Sequence, residues 1–534
     1  MRYKKVDYLL FAVLVCAILA LSLMALDGTC YWGDDWAAYI SEGIAIAEVR
    51  LDEQAALNVI MHPSELPDEA LDGSLVYVWG YPLLLALVYK LVGFDRVAFS
   101  SIIYYKIPSA IALALLAGVM YLFLRRRFGK TLSFLLSFLF CACYEFRVTI
   151  NTPCSDIVFL FLAFLSLLMV EVFLAQRDTR RKVGVGIALG VVLWLMYETR
   201  LNGISILFAC GVACVVYLVR ERRVRPKGIK LKNELAVVLL PFVLFLVMKL
   251  ISEAIIAPAT SNTSDLAGVT VANFFFNLAT YYRVAGEWLV LIFDDPFVNW
   301  LSKLLCAVFG NASGAVQGFC FVLSQGLVAL TFLLALVGLV LDGFKREAHL
   351  TVFVLVYLFV VCMLPYNQGV RYIYPVLMLL PLYLSHALVR LARLDARLLS
   401  PKGGSIARSV GAGLAIALCV LCFASAMRNS AYKRAFGDSD ASLGQAYDPY
   451  ALESYHYIMD NTPPDAVIGF VKPRAMYLNT GRVSVYPYVN GHSLDDVDYC
   501  LYSTHFPDRQ FAGGDGFESV FANEEFVLYE KVKD

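Results

Sequence analysis

The chain reads as a polytopic α-helical membrane protein. We expect about eleven transmembrane helices, interfacial helices in the first outer loop, and a small extracytoplasmic α/β domain at the C-terminus. Three observations carry that reading. Of 534 residues, 60% are hydrophobic and 16% charged, against about 45–50% and 25% in an ordinary soluble domain. The apolar residues gather into runs of about 18 or more, each long enough to cross a hydrocarbon core of roughly 30 Å as a helix. Lysine and arginine concentrate in alternate connections between those runs, which is the bias that sets membrane orientation.

The runs fall at 6–26, 103–124, 131–150, 155–175, 183–200, 202–220, 235–252, 317–341, 350–366, 372–391 and 409–427. The first has about twenty apolar residues, beyond the roughly 7–15 of a cleaved signal segment, and reads as an anchor. Basic connections (MRYKK, RRRFGK, QRDTRRK, RERRVRPKGIKLK, FKRE and RLARLDARLLSPK) alternate with connections poor in Lys and Arg. That alternation puts the N-terminus in the cytoplasm and the segment from about Arg428 outside. Residues 1–427 then form a transmembrane domain with large outer loops at 27–102 and 253–316, and 428–534 form an outer domain. Most of the extramembrane chain lies on that one face, where we expect the chemistry.

In the first loop, YISEGIAIAEVRLDEQAALNVI has helical apolar spacing (Ile40, Ile44, Ala47, Leu51), and WGYPLLLALVYKLVGF is apolar over a similar length. Segments too short to span comfortably, with Trp and Tyr among them, read as helices at the membrane interface. The C-terminal segment changes texture. A helix leads to a turn at Asn461–Pro464, then strands at 466–471 and 482–488, a third in VDYCLYS and a last in EEFVLYEKV, a small α/β arrangement.

The 44 basic and 44 acidic residues cancel, so no net field points to nucleic acid. Most of the thirteen cysteines lie in apolar spans, where they serve as small hydrophobes. The one CxxC, Cys419 to Cys422, has no second pair or suitably spaced histidine to complete a metal site.

Candidate chemistry begins with Asp34 and Asp35, in YWGDDWAAYISEG directly after the first span. Acids at a helix start are stabilised by the dipole and by capping. Flanked by Trp32 and Trp36 at the membrane surface, they are also suited to take a proton from an acceptor hydroxyl. Tyr39 is one turn beyond Asp35 and shares its face. Asp156 opens the fourth span at the same depth; an N-cap is the plain reading, and an ionisable residue at a span edge is the functional one. Arg147, Arg200 and Arg371 sit at outer span ends, against the orientation bias. Each alone reads as a snorkelling side chain; together they suggest an anion, a phosphate above all, because the guanidinium fork binds its oxygens in pairs. Arg371–Tyr372, just before a Pro-interrupted helix, gives a fixed donor. His62 and His492 lie in polar loops without ligand spacing, and Asp294–Asp295 before Pro296 reads as a turn.

These residues resemble a known family. An acidic pair followed by a helical Tyr after the first span is similar to the first-loop motif of the GT-C glycosyltransferases. The nearest branch is that of bacterial protein O-mannosyltransferase-like enzymes and the lipid A aminoarabinose transferase. GYPLLLALVYKLVG, KIPSAIALALLAGVMYLFLRRRFG, YETRLNGISILFA, GVRYIYPVLMLLP and VKPRAMYLNTGR resemble further family segments, in family order and along most of the chain. The resemblance implies a bacterial plasma-membrane enzyme that takes a sugar from a polyprenyl-phosphate donor. It would transfer that sugar on the outer face, with inversion, to a lipid, glycan or protein acceptor. It implies a first-loop aspartate as base. Counting back four from Tyr39 selects Asp35, matching the acidic pair selects Asp34, and the choice stays open with a preference for Asp35. It gives Asp156, with Tyr39 on the base's face, an orienting role, and Arg200 and Arg371, with Tyr372, the donor phosphate. Some members bind a divalent metal near these acids.

Two other classes share a polytopic plan. An envelope polysaccharide polymerase or ligase tends to carry one arginine-rich late outer loop, whereas 253–316 holds only Arg283. A transporter of lipid-linked glycans would show internal repeats and mid-membrane charges; the chain shows no repeat, and its outer charges lie at span ends.

Overall fold

The computed structural model describes residues 3–61, 75–96, 101–224, 231–255, 271–293, 313–364, 369–388, 445–487, 492–506, 511, 513–514 and 516–532. Helices dominate, since a helix satisfies every backbone hydrogen bond internally in a medium without water. In chain order they are α1 (Lys5–Ala25), α2 (Asp34–Glu48), α3 (Leu51–Ile60), α4 (Gly80–Val92), α5 (Ser101–Arg125), α6 (Lys130–Ala142), α7 (Tyr144–Ile150) and α8 (Asp156–Ala175). There follow α9 (Thr179–Thr199), α10 (Ile204–Val224), α11 (Leu231–Ile255), α12 (Val271–Phe293), α13 (Ser313–Gly338), α14 (Ala348–Met363), α15 (Pro449–Asn461) and α16 (Pro473–Thr480). Among the described residues, six stretches are long and apolar enough to cross a membrane, in α1, α5, α8, α9, α10 and α11. This is an integral membrane protein.

Several expected spans take a different form. The run at 131–150 is two helices, because Cys143 between α6 and α7 is extended (φ −64°, ψ 156°). The run at 372–391 opens with a 3₁₀ turn, Val370–Ile373, and one helical turn, Tyr374–Leu377. Helix α12 lies inside the stretch expected to be the 253–316 loop and packs on α13 and α14. The span at 409–427, with Cys419 and Cys422, lies outside the described residues, as do His62, Asp294, Asp295 and the side chain of Arg147.

Helices α1, α5, α8 and α9 pack in sequence, α11 covers α9, and α10 joins α8 to α14. One continuous apolar core runs through them. At one end of this bundle, Arg127 pairs with Glu171 and Glu347, while Arg126 and His349 also reach Glu171. The opposite end carries the first-loop helices.

There α2 and α3 are separate rather than continuous. Val49, 87% exposed, takes a left-handed conformation (φ 60°) and turns the chain. A β-branched residue adopts that conformation only under constraint. α2 is buried on nearly every side, between α4 and α16. Gly43 permits the α4 crossing, since a Cβ there would stand 2.9 Å from the Pro82 carbonyl oxygen. α4 exposes Leu83, Leu87 and Leu91 at every fourth residue, a continuous apolar stripe as expected of a helix at an interface.

The C-terminal unit is a five-stranded sheet in the order β2-β1-β3-β5-β4. Its strands are β1 (Ile468–Gly469), β2 (Ser484–Val485), β3 (Tyr499–Ser503), β4 (Phe517–Ala522) and β5 (Phe526–Lys531). β1 pairs in parallel with β2 and β3, and α16 forms the β1-to-β2 crossover; β5 runs antiparallel to β3 and β4. The four strands expected from the sequence are present, with β1 and β2 only two residues long. β4 was not expected. It lies at the sheet edge with no alternating burial, so its side chains carry no period-2 signal.

Trp32 and Trp36 join this unit to the first loop. The Trp32 ring meets Phe470, Phe506 and Phe526 at 5.7, 6.0 and 5.9 Å, and Trp36, fully buried, packs on Tyr447 at 5.7 Å. The Ala446 amide donates to the Cys30 carbonyl at 2.8 Å. The two indoles, expected at headgroup depth, instead pack on the C-terminal unit.

Candidate active site

The segment leaving α1 is pinned before it reaches the aspartates. Lys106, fully buried on α5, donates to the Asp27 carbonyl at 2.8 Å and pairs with its carboxylate at 3.2 Å. Asn151 donates to the Ala25 carbonyl at 2.7 Å. These contacts fix where α2 begins, and Asp34 and Asp35 are its first two residues.

Around Asp35 the structure gathers most of the residues singled out in the sequence. The Tyr77 hydroxyl donates to its Oδ1 at 2.9 Å and Arg371 Nη2 to its Oδ2 at 3.3 Å. Arg371 reaches in the other direction to Asp156 Oδ2 at 3.9 Å, and Arg200 Nη1 meets Asp156 Oδ1 at 2.6 Å. The Tyr372 ring lies beneath both guanidinium groups, 4.5 Å from Arg200 and 5.7 Å from Arg371. Tyr39 stacks on Tyr77 at 4.0 Å and shares a hydrogen bond with Ser155, the residue before Asp156, at 2.9 Å. Asp35 and Tyr39 therefore share a face of α2, as their spacing implies.

Four elements meet here: the start of α2, the start of α8, the end of α9 and the 3₁₀ turn at Val370–Ile373. α8 begins where α9 ends because the two helices are antiparallel neighbours joined by a short turn. Asp156 and Arg200 then face each other across that pair.

The two adjacent aspartates are in different environments. The Asp35 side chain keeps 43% of its surface open. Desolvation opposes its charge, but Arg371, the Tyr77 hydroxyl and Arg474 outweigh it and hold its pKa below the usual carboxylate value. Asp34 is 8% exposed and packs against α16, where the Ala475 amide reaches its Oδ1 at 3.4 Å. Burial raises its pKa from the usual 3.8 to about 6, against the opposing pull of Arg474 and Lys472. Its Oδ2 has no hydrogen-bond partner.

Sequence reasoning missed four residues. Tyr77 sits in a stretch with no motif. Tyr31 lies close enough for its ionisation to feel Arg371, Asp35 and Asp156. Arg474 lies in the segment VKPRAMYLNTGR, whose pattern alone assigns it no role. Glu42 is seven residues, two helical turns, beyond Asp35, a spacing legible in the sequence. It is fully buried, accepts from the Val76 amide at 2.6 Å and Asn58 at 3.2 Å, and has its pKa raised by burial to about 7. His492 lies near Asp496 in the C-terminal unit and takes no part.

A divalent metal, bound near such acids in some members of the resembled family, does not fit this arrangement. The Arg371 guanidinium stands between Asp35 and Asp156, and Arg200 holds the remaining oxygen of Asp156. A cation at that point would have to displace the Arg371 guanidinium from both acids. Elsewhere, Glu171, Glu347 and His349 come together, as do Asp448, His505 and Glu525. The first trio is engaged by arginines; in the second, Asp448 caps α15 and His505 bonds Glu525 at 2.8 Å.

Compared with known proteins, the chain shares its fold with two solved structures. One is ArnT from Cupriavidus metallidurans bound to undecaprenyl phosphate, at 12% identity over 98% of both chains, with a TM-score of 0.50. The other is the archaeal oligosaccharyltransferase AglB from Archaeoglobus fulgidus in complex with an inhibitory peptide and a dolichol-phosphate. It is 11% identical over 94% of this chain and 70% of that one, with a TM-score of 0.51. No protein-family model and no curated protein matches the chain. The chain has the fold of these two proteins, the GT-C fold that its motifs resemble.

Proposed function

We propose that this chain is a glycosyltransferase that moves a sugar from a polyprenyl-phosphate donor to an acceptor hydroxyl at the extracytoplasmic surface of a bacterial plasma membrane. The observation that carries the reading is the convergence of Asp35, Asp156, Arg200 and Arg371 from four separate segments at one end of the bundle. Two arginines stacked on one tyrosine form a fixed anion clamp, and an open carboxylate stands beside it. The shared fold supports it, since both solved structures hold a polyprenyl-type phosphate.

In this reading Arg200 and Arg371 bind the donor phosphate, and Tyr372 holds their planes. As the bond between the anomeric carbon and the phosphate oxygen breaks, negative charge grows on that oxygen, where preorganised donors stabilise it most. The acceptor oxygen attacks from the opposite side, which inverts the anomeric centre, and its proton passes to Asp35. Position favours Asp35 over Asp34 as base, because it is open and adjacent to the clamp. Arg371 serves both groups. When a phosphate draws its fork away, Asp35 loses one of the contacts that depress its pKa and becomes a stronger base once donor is bound. Asp156 anchors Arg200 and orients Arg371.

The test is sugar transfer in membranes supplied with a panel of polyprenyl-phosphate sugars, comparing wild type with Asp35→Asn, Asp34→Asn and Arg371→Gln at equal protein level. Consumption of one donor class, abolished by Asp35→Asn, supports the reading. If no donor is consumed, or if Asp35→Asn and Arg371→Gln are as active as wild type, the reading is wrong.

A further inference from the structure

The end of the bundle opposite the arginine clamp holds a cavity of about 320 Å³. Four arginines from three segments line it: Arg126 and Arg127 just after α5, Arg220 near the end of α10, and Arg346 in the turn before α14. Glu171 on α8, Glu347 and His349 complete its charged lining.

Both acids are already engaged. Arg126 Nε meets Glu171 Oε2 at 2.6 Å. Arg127 joins Glu171 to Glu347, meeting the latter through Nε at 3.1 Å and Nη2 at 2.9 Å. His349 also reaches Glu171, at 3.2 Å. Arg220 and Arg346 are left over. Among the described residues Arg220 makes no ion pair or hydrogen bond, and Arg346 has only Asp342, its Nε 3.9 Å from that carboxylate. The cavity therefore gathers more cationic charge than its acids neutralise, and like charges at close range repel unless an anion joins them. Tyr217, also in the lining, adds a neutral donor. Lys182 donates to its oxygen at 3.0 Å, which leaves its own O–H for a ligand.

The surroundings indicate what carries that anion. α10 is long and apolar enough to span a membrane, and Ile204, Phe208, Val215 and Val219 are exposed along one flank of it. That stripe ends at Arg220. The α10 residues that line the cavity (Ala213, Val216, Tyr217, Arg220) occupy the adjoining flank. On the turn before α14, Val340, Leu341 and Phe344 are exposed just ahead of Arg346. Exposed apolar residues ending at an arginine mark the depth of lipid headgroups. A phosphate arriving from the bilayer brings acyl chains that cover those residues, whereas a soluble phosphate leaves them bare.

We propose that this cavity binds the phosphate of an anionic lipid headgroup, from the leaflet on the side opposite the clamp. Arg220 and Arg346 are its charged ligands and the Tyr217 hydroxyl a third donor. The bound headgroup ties α10 to the turn before α14. Beside it, Glu171 anchors α8, whose other end carries Asp156.

The experiment uses the full chain, delipidated in a maltoside detergent. It is titrated with dioleoyl-phosphatidylglycerol, dioleoyl-phosphatidylcholine and glycerol phosphate, the last a phosphate without tails. Native mass spectrometry counts bound lipid, and thermal unfolding follows stabilisation. Arg220→Gln with Arg346→Gln is compared with Arg222→Gln with Arg223→Gln, an exposed pair on the same helix but outside the cavity lining. A basic residue beside an anionic lipid contributes about fivefold in affinity, so the first pair should weaken phosphatidylglycerol about 30-fold. The second pair should leave its affinity nearly unchanged. Wild type should prefer phosphatidylglycerol to phosphatidylcholine, whose ammonium cancels the phosphate charge, and glycerol phosphate at equal concentration should not stabilise it. Equal weakening by both pairs would mean diffuse surface charge, and stabilisation by glycerol phosphate a soluble-anion site. Either result overturns the proposal, as does unchanged phosphatidylglycerol affinity in the first pair or equal affinity of wild type for the two lipids.

Discussion

Asp34→Asn distinguishes a helix-capping acid from one kept for chemistry, because the two roles move stability in opposite directions. Burial raises the Asp34 pKa from 3.8 to about 6. A carboxyl raised in the folded state weakens the fold as pH climbs from the unfolded value to the folded one, and by a constant amount above that. At 1.36 kcal/mol per pH unit the cost is about 1 kcal/mol at pH 4.5 and about 3 kcal/mol at pH 8. Asn keeps the acceptor for the Ala475 amide but leaves an amide NH₂ where Oδ2 was already unpartnered, at a cost of about 1 kcal/mol. The net expectation is no change at pH 4.5 and a gain of about 2 kcal/mol at pH 8, a rise in Tm on the order of 2 °C for a chain of this length. Thermal unfolding of purified protein followed by intrinsic fluorescence at the two pH values reads this directly, beside the transfer assay. A variant that is more stable at pH 8 and less active marks a residue held against its own folding preference. If instead Asp34→Asn lowers Tm by a similar amount at both pH values, dipole and capping outweigh burial, and the reasoning from burial is refuted.

Glu42→Gln should behave similarly for stability. With a pKa of about 7 against a usual 4.5, its cost reaches about 3 kcal/mol above pH 7 and vanishes below pH 4.5. A Tm gain at pH 8 that disappears near pH 4.5 is the expected outcome. Arg371→Gln and Arg200→Gln each remove a charged donor from the clamp and should lower kcat about 100- to 1,000-fold. For Arg371→Gln the acid limb of the pH–rate profile should also shift upward as Asp35 loses its neighbour. Transfer should be insensitive to EDTA, and Mn²⁺ should give no bound spectrum at Asp35 and Asp156 by electron paramagnetic resonance. In Arg371→Ala, where the guanidinium is gone, Mn²⁺ binding at those acids should appear. Trp32→Ala removes the ring that meets three phenylalanines and should destabilise the C-terminal unit by about 3–5 kcal/mol. Limited proteolysis should then release that unit at a lower temperature than in wild type.

The membrane character of α1, α5, α8, α9, α10 and α11 was legible in the sequence, because the length and polarity of a span are fixed locally by the thickness of the hydrocarbon it must cross. So was the pairing of Asp35 with Tyr39, which depends only on the period of a helix. The candidate residues Asp156, Arg200 and Arg371 were legible as charges out of place at span ends. Neither composition nor period could show that Arg371 lies between the two acids. That follows from how α2, α8, α9 and the turn at Val370–Ile373 pack, residues more than three hundred positions apart meeting at 3.3 Å. The break at Cys143 is a backbone choice that a mostly apolar run conceals. The roles of Trp32 and Trp36 turned on what covers them. An indole beside a membrane span suits lipid headgroups and phenylalanine rings equally, and only the docking of the C-terminal unit decides between them. The two adjacent aspartates are chemically identical in sequence. Tertiary packing alone leaves Asp35 open among arginines and buries Asp34 against α16, because a carboxylate's charge and reactivity are set by the solvent and ions around it.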